Sequence, residues 1–164
     1  MLASTVPLQS SLCTTSSPNG VLCGREGNTP GVHLILPDIR YLMERREKVL
    51  GIIATHAHED HIGAIAPLWP GLRCPIYATP FTARLIAGKL EEAGLTSKVK
   101  VREVPVGGQI QLGPFTLDFI SITHSILEPN LLAIRTPLGV VPHTGDWKID
   151  PDPMLGEATD TEAL

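Results

Sequence analysis

Three histidines and an aspartate fall within six positions in Thr55-His56-Ala57-His58-Glu59-Asp60-His61. Neutral imidazole nitrogens and carboxylate oxygens are the donors that a zinc-like divalent ion takes. His56 and His58 are two apart and can point the same way in a turn. Asp60 and His61 follow on the other side of the bend. That arrangement suits two neighbouring metals better than one. A catalytic ion keeps a position open for water, so further ligands must come from later in the chain. His124 follows the apolar stretch Phe119 to Thr123, and Asp146 follows Val140 to Thr144 across Gly145. Both read as strand-end residues, and ligands gathered at several strand ends are what a rigid sheet edge preorganises. Taken singly, either one reads as a hydrogen-bonded turn residue. The HxHxDH cluster is what argues for metal. His33 reads as a strand residue of no special role. His143 lies next to the Asp146 segment, on the strand face opposite Thr144. Glu59 reads as solvated.

The elements that must position these groups are an intermixed set of strands and helices, so the class is α/β or α+β. Val32 to Leu36 is an apolar run stopped by Pro37 and reads as a strand. Asp38 can cap a short helix with Ile39, Leu42 and Met43 on one face. Val49 to Ala54 reads as a buried central strand that leads straight into His56. A short helix is expected over Ile62 to Trp69, ended by Pro70-Gly71, and then a strand over Pro75 to Ala78. Thr79-Pro80 starts a helix well, with an expected inner face of Phe81, Leu85, Ile86, Leu90 and Ala93, ended by Gly94. The period then falls to two. Strands are expected around Val99 to Glu103 and Phe115 to Phe119, and Leu131 to Arg135 pairs with Val140 to Thr144 through Pro137-Leu138-Gly139. Pro142 lacks an N–H, so its strand must be an edge or carry a bulge.

The chain has 164 residues, 43% hydrophobic and 18% charged, with a net charge of -4. That balance excludes a disordered chain and argues against a surface that grips nucleic acid by charge alone. Aromatics are 4%, too few for a base-stacking platform. No apolar run approaches the roughly 20 residues of a membrane helix, so no membrane partner is expected. Residues 1–24 carry no Asp, Glu, Lys or Arg and lack the basic start of a signal peptide. They read, with the residues to 28, as an irregular tail unrelated to the domain expected over 29–164. Cys13, Cys23 and Cys74 follow no metal or redox spacing, and an odd count speaks for a reducing, cytoplasmic setting.

The donor pattern resembles the signature of the metallo-β-lactamase superfamily: HxHxDH, then a distant His, then a distant Asp. The segments PGVHLILPDIRYL, THAHEDHIGAI, PIYATPFTARLI, THSI and HTGDWKIDPDP are similar to the ribonuclease J family of the β-CASP branch, from about Thr29 to the region of Asp152. The resemblance implies a partial αββα sandwich. It implies that His56, His58 and His124 hold one metal, that Asp60 and His61 hold a second, and that Asp146 bridges them. Asp60, His61 and Asp146 would then be the catalytic residues, and two divalent ions, zinc first with manganese or magnesium as alternatives, would activate water against an RNA phosphodiester. RNA, trimmed from its 5′ end or cut internally, is the implied substrate.

Departures from the family shape further expectations. Residues 1–28 do not resemble the family's opening strands, and members usually carry Asp where His33 stands. The β-CASP insertion, the remainder of the lactamase domain and a last metal-binding His have no counterpart here, so the resemblance implies a fragment of a longer enzyme that is weakly active or inactive alone. Sheet faces in Val49 to Ala54 and Phe115 to Ile122 would then be exposed and would favour homo-oligomers. Two alternatives stand beside the ribonuclease: another hydrolase of the same fold, acting on a thioester or lactone, and a degenerate remnant that binds metal without catalysis.

Overall fold

A computed structural model of the chain describes residues 36–164. The tail expected over 1–28, the strand expected from Val32, His33, Cys13 and Cys23 lie outside the described residues. The Asp38 carboxylate accepts the Arg40 main-chain N–H at 3.0 Å and pairs with its guanidinium, which opens helix α1, Arg40–Met43. Ile39 is buried and Leu42 packs beside it, but Met43 is exposed, so only part of the expected apolar face is used.

Strand β1 is Ile52–Ile53, shorter than the run of apolar residues suggests. Its ladder reaches from Ile52 N–H on Pro75 O to Ala54 N–H on Tyr77 O, both 2.9 Å. Beyond Ala54 the chain leaves the sheet to form the His-rich turn. Helices α2, Glu59–Ile62, and α3, Ile65–Leu72, replace the single helix expected over Ile62 to Trp69. Pro70 lies inside α3 instead of ending it. One missing N–H is tolerated because Leu68, Trp69 and Leu72 are buried along the same helix. The turn comes at Arg73, in the left-handed region at φ 53°, with its N–H on Trp69 O at 2.8 Å.

Strand β2, Ile76–Ala78, leads through Thr79 into α4, Pro80–Glu92, with Pro80 at the first helical position. The buried face of α4 is Thr82, Ala83, Ile86 and Leu90, whereas Leu85 is 41% exposed and Ala93 is exposed. The expected face is therefore rotated: small residues at 82 and 83 let the helix approach the sheet, and the larger Leu85 turns outward. Strand β3, Val101–Glu103, completes a parallel sheet of order β1-β2-β3. Among the described residues β1 is an end strand of this sheet and β2 the central one.

The second sheet is antiparallel, in the order β4-β5-β6-β7, with β4 at Gln109–Leu112, β5 at Phe115–Ser121, β6 at Asn130–Thr136 and β7 at Gly139–His143. Pro142 pairs with Ala133 on β7, an end strand where a missing N–H is tolerated, as the sequence requires.

Alternation along these strands builds the layers. Ile52, Ile76 and Ala78 face the helices in one core with Ile65, Leu68, Ile86 and Leu90. Ile53 and Tyr77 face the other way and meet Phe115, Leu117, Phe119, Leu132 and Ile134 of the second sheet. The order is thus helices, parallel sheet, antiparallel sheet. A further cluster of Ile120, Ile122, Leu131 and Ala133 lies on the far face of the second sheet. This is a mixed helix and sheet protein with two stacked sheets, as the sequence predicts. The apolar faces expected to be exposed are not: Ile52 is buried under the helices, Phe119 between the two sheets, and Ile122 in the cluster on the far face. Exposure falls instead on Val140, Val141, Trp147, Ile149, Met154 and Leu155. Among the described residues, no helix is long and apolar enough to cross a membrane.

Candidate metal centre

The strand order places several chain ends at one edge. β5 and β7 both run antiparallel to β6, so they point the same way, and the start of β6 lies beside their ends. The main-chain N–H of Asn130, at the start of β6, donates to Thr55 O at 3.0 Å. That bond ties the second sheet to the turn after β1. His56 and His58 leave β1, His61 sits on α2, His124 follows β5, and Asp146 follows β7.

Turn chemistry brings Asp146 into place. Gly145 has φ +58°, and a Cβ there would lie 3.3 Å from Asn130 O and 3.5 Å from Thr55 Oγ1. Glycine meets both demands, since it has no Cβ and accepts the left-handed region. His124 is held from behind. Thr123 Oγ1 donates to Lys148 O at 2.5 Å, Lys148 N–H donates to Thr123 O at 2.8 Å, and the Thr123 N–H donates to Thr159 Oγ1 at 3.0 Å. The loop between His124 and β6 is anchored by Glu128, whose carboxylate accepts the Phe81 N–H at 2.9 Å at the start of α4.

Donor atoms of His56, His58 and His124 lie within 4.8 Å of one another, and so do those of His56, His61 and Asp146. His124 Nε2 approaches His58 Nδ1 at 3.2 Å, and His61 Nε2 approaches Asp146 Oδ2 at 3.3 Å. Asp60 Oδ2 is 3.7 Å from His61 Nε2. Five of the six residues singled out by type and spacing fall into these two triads, and Asp60 stands at their edge, beside His61. Their grouping differs from the expected division: His56 stands at the corner common to both triads, Asp146 joins only the one with His61, and Asp60 belongs to neither. His56 and His61 are buried, whereas the Asp60 and Asp146 side chains are partly exposed, so the cluster opens to solvent on its carboxylate side. Glu59 is exposed as expected, and Lys89 Nζ pairs with it at 2.5 Å.

Burial and neighbouring charge disfavour a proton on His56. Burial pushes His56 down to about 3, and charge on His61, His58 and His124 acts in the same direction. Burial also lowers His124, with His58 adding to the effect and Asp146 opposing it. A neutral ring keeps one lone pair that can be given to an ion. His56 Nε2 and His61 Nδ1 are buried without a hydrogen-bond partner. Unpaired buried nitrogens are costly unless something binds them, and an imidazole lone pair facing other donors fits a divalent ion. The donor set of imidazoles and carboxylates, without thiolate, suits zinc and harder divalent ions.

Sequence reasoning assigned no role to three neighbours. Thr55 Oγ1 lies 3.1 Å from His56 Nδ1. Asn130, fully buried, donates through Nδ2 to Thr55 O at 3.2 Å and to Glu128 O at 2.7 Å. His143 is near enough for charge on His61 to lower it and for Asp146 to oppose that shift, although burial is the larger cause. Thr55 precedes the motif directly, which was a signal of a kind. Asn130 carries none, since Pro129-Asn130 reads as an ordinary turn.

Two stacked sheets with helices on one face, and a His- and Asp-rich centre at the strand ends, define a metallo-β-lactamase type of protein. The sequence profile described as "Beta-lactamase superfamily domain" matches residues 32–158, and the chain belongs to that family. It is 50% identical over 131 residues to Ribonuclease J of Sinorhizobium meliloti, covering 80% of this chain and 23% of the relative. It is 41% identical over 148 residues to Ribonuclease J of Thermus thermophilus, covering 86% of this chain and 26% of the relative. The chain thus spans about a quarter of the length of these relatives. A solved structure, Zn(2+)-bound PqqB from Methylobacterium extorquens, superposes with a TM-score of 0.50 at 13% identity, over 62% of this chain and 43% of that one. That likeness concerns the fold alone.

Proposed function

We propose that this chain carries the metal centre of a metal-dependent RNA phosphodiester hydrolase of the ribonuclease J type. The observation that carries the reading is the convergence of His56, His58, His61, His124 and Asp146, drawn from three separate parts of the sequence, into two donor triads that share His56. Their setting in a chain half identical to a Ribonuclease J supports RNA as the substrate class. Residues 29–164 form, in this reading, part of the catalytic domain of a longer protein.

His56, His58 and His124 would hold one ion, and Asp60 and His61 a second, with Asp146 shared. Zinc is the first candidate and manganese or magnesium the alternatives. Divalent ions held there would lower the pKa of water and neutralise charge developing on phosphoryl oxygens. The chain's own part is to orient and to shield. Burial holds His56 as a neutral donor, the Thr123–Lys148 and Gly145 contacts fix His124 and Asp146, and the carboxylates of Asp60 and Asp146 offset positive charge on the open side. Catalytic roles go to Asp60 and Asp146, which line the accessible side where a phosphodiester would approach, and to His61, buried behind them. Hydrolysis also needs the phosphorus held in line with the attacking water, a positioning contribution that can be worth several kcal/mol.

The test is a 5′-monophosphorylated single-stranded RNA incubated with the chain and added zinc or manganese, with Asp60→Ala combined with Asp146→Ala as the control. Slow hydrolysis that the double variant loses supports the reading. Metal binding without any metal-dependent cleavage would favour the non-catalytic remnant instead. Cleavage that persists in the double variant would reject the assigned site.

A further inference from the structure

His56 is the one imidazole that belongs to both donor triads, and it is completely buried. A ring in that position has two nitrogens and, when neutral, one proton. Which nitrogen carries the proton decides whether the ring can ligate, because only the unprotonated nitrogen has a lone pair to give. His56 Nδ1 faces Thr55 Oγ1 at 3.1 Å, while Nε2 faces the cluster with no hydrogen-bond partner. Thr55 cannot drift from this contact. Its carbonyl accepts from Asn130 twice, from the main-chain N–H at 3.0 Å and from Nδ2 at 3.2 Å. Thr55 Oγ1 also lies within 3.5 Å of where a Cβ on Gly145 would stand, so the turn that delivers Asp146 packs against the same hydroxyl.

We propose that Thr55, clamped by Asn130, is a positioning residue that accepts the His56 Nδ1 proton and so presents Nε2 as the donor to a divalent ion. The inference rests on the metal reading above for the ion, but the protonation pattern of the ring is a property of the metal-free chain. The opposite arrangement would place an N–H at Nε2, buried among other imidazoles without an acceptor, and would also bar the ring from ligation. A hydrogen bond to the far nitrogen of a ligating ring is a general way to fix its tautomer and direction, and its loss typically costs 10- to 100-fold in metal affinity.

The experiment uses the full chain and two readouts. Nitrogen-15 imidazole spectra of the metal-free protein report the tautomer of His56, and a chelator competition reports zinc affinity. The wild type should show His56 protonated at Nδ1. Thr55→Val, which keeps the shape and loses the hydroxyl, should shift the ring towards the Nε2-protonated form and weaken zinc by roughly 10- to 100-fold, and Thr55→Ser should stay within about threefold of wild type. Thr55→Val with an unchanged spectrum and unchanged affinity would overturn the proposal. So would a wild-type spectrum with the proton on Nε2, which decides the matter even if the valine variant does not fold. A wild type that fails to hold zinc would sink the metal reading, while the His56 spectrum would still judge Thr55.

Discussion

His56 makes the stability of the metal-free chain depend on pH in a defined direction. Its folded-state value is pushed to about 3 from an ordinary 6.5, chiefly by burial. Between those values the unfolded chain binds a proton that the folded chain does not, so the stability present above about pH 6.5 is lost as the pH falls. Lowered values at His124 and His143 act in the same sense. For His56 alone the effect is on the order of a few kcal/mol. Thermal melts in chelator should therefore show a clear fall in Tm from pH 7.5 to 4.5, and a flat profile would contradict the buried neutral imidazole. At this scale much of the centre was legible in the sequence. The HxHxDH cluster is local, and His124 and Asp146 stand out because each follows an apolar strand. Thr55 and Asn130 were not legible as a pair, since they are 75 positions apart and meet only when the second sheet folds over β1.

Each element contributes to the centre through the faces it buries. Leu117 on β5 is fully buried between the two sheets, paired with Ile134 across the ladder and packed with Ile53 and Tyr77 of the parallel sheet. Leu117→Ala should cost about 2–5 kcal/mol, the usual range for a leucine truncated in a packed core, read as a lower urea midpoint. A loss below about 1 kcal/mol would mean that the sheets do not meet as described. The alternation of Phe115, Leu117 and Phe119 announced this strand, and Thr79-Pro80 announced α4. The face of α4 was misjudged because large apolar residues weigh most in a periodic reading, whereas tertiary packing selected Thr82 and Ala83 and left Leu85 outside. Pro70 misled for a related reason: one lost N–H weighs less than the burial of Leu68, Trp69 and Leu72.

Across the whole molecule, the stacking of two sheets follows from the strand pattern, but which apolar faces remain uncovered does not. Exposed apolar side chains gather at Val140 and Val141 on the end strand β7, and at Trp147, Ile149, Met154 and Leu155 beyond it. An end strand and neighbouring apolar groups favour association between copies. Sedimentation velocity should show concentration-dependent self-association that weakens when Val140 and Val141 are both changed to Lys, and a strictly monomeric wild type would argue against it. The central claim is that the six converging residues form a divalent-metal centre. Its most direct test is elemental analysis of the purified full chain after exhaustive dialysis against metal-free buffer, alongside His56→Ala and Asp146→Ala. The wild type should retain about one tightly held divalent ion per chain, the site of His56, His58 and His124, and His56→Ala should lose it. Asp146→Ala should retain less than the wild type. A wild-type chain that emerges free of metal, or a His56→Ala variant that keeps its ion, would contradict the account.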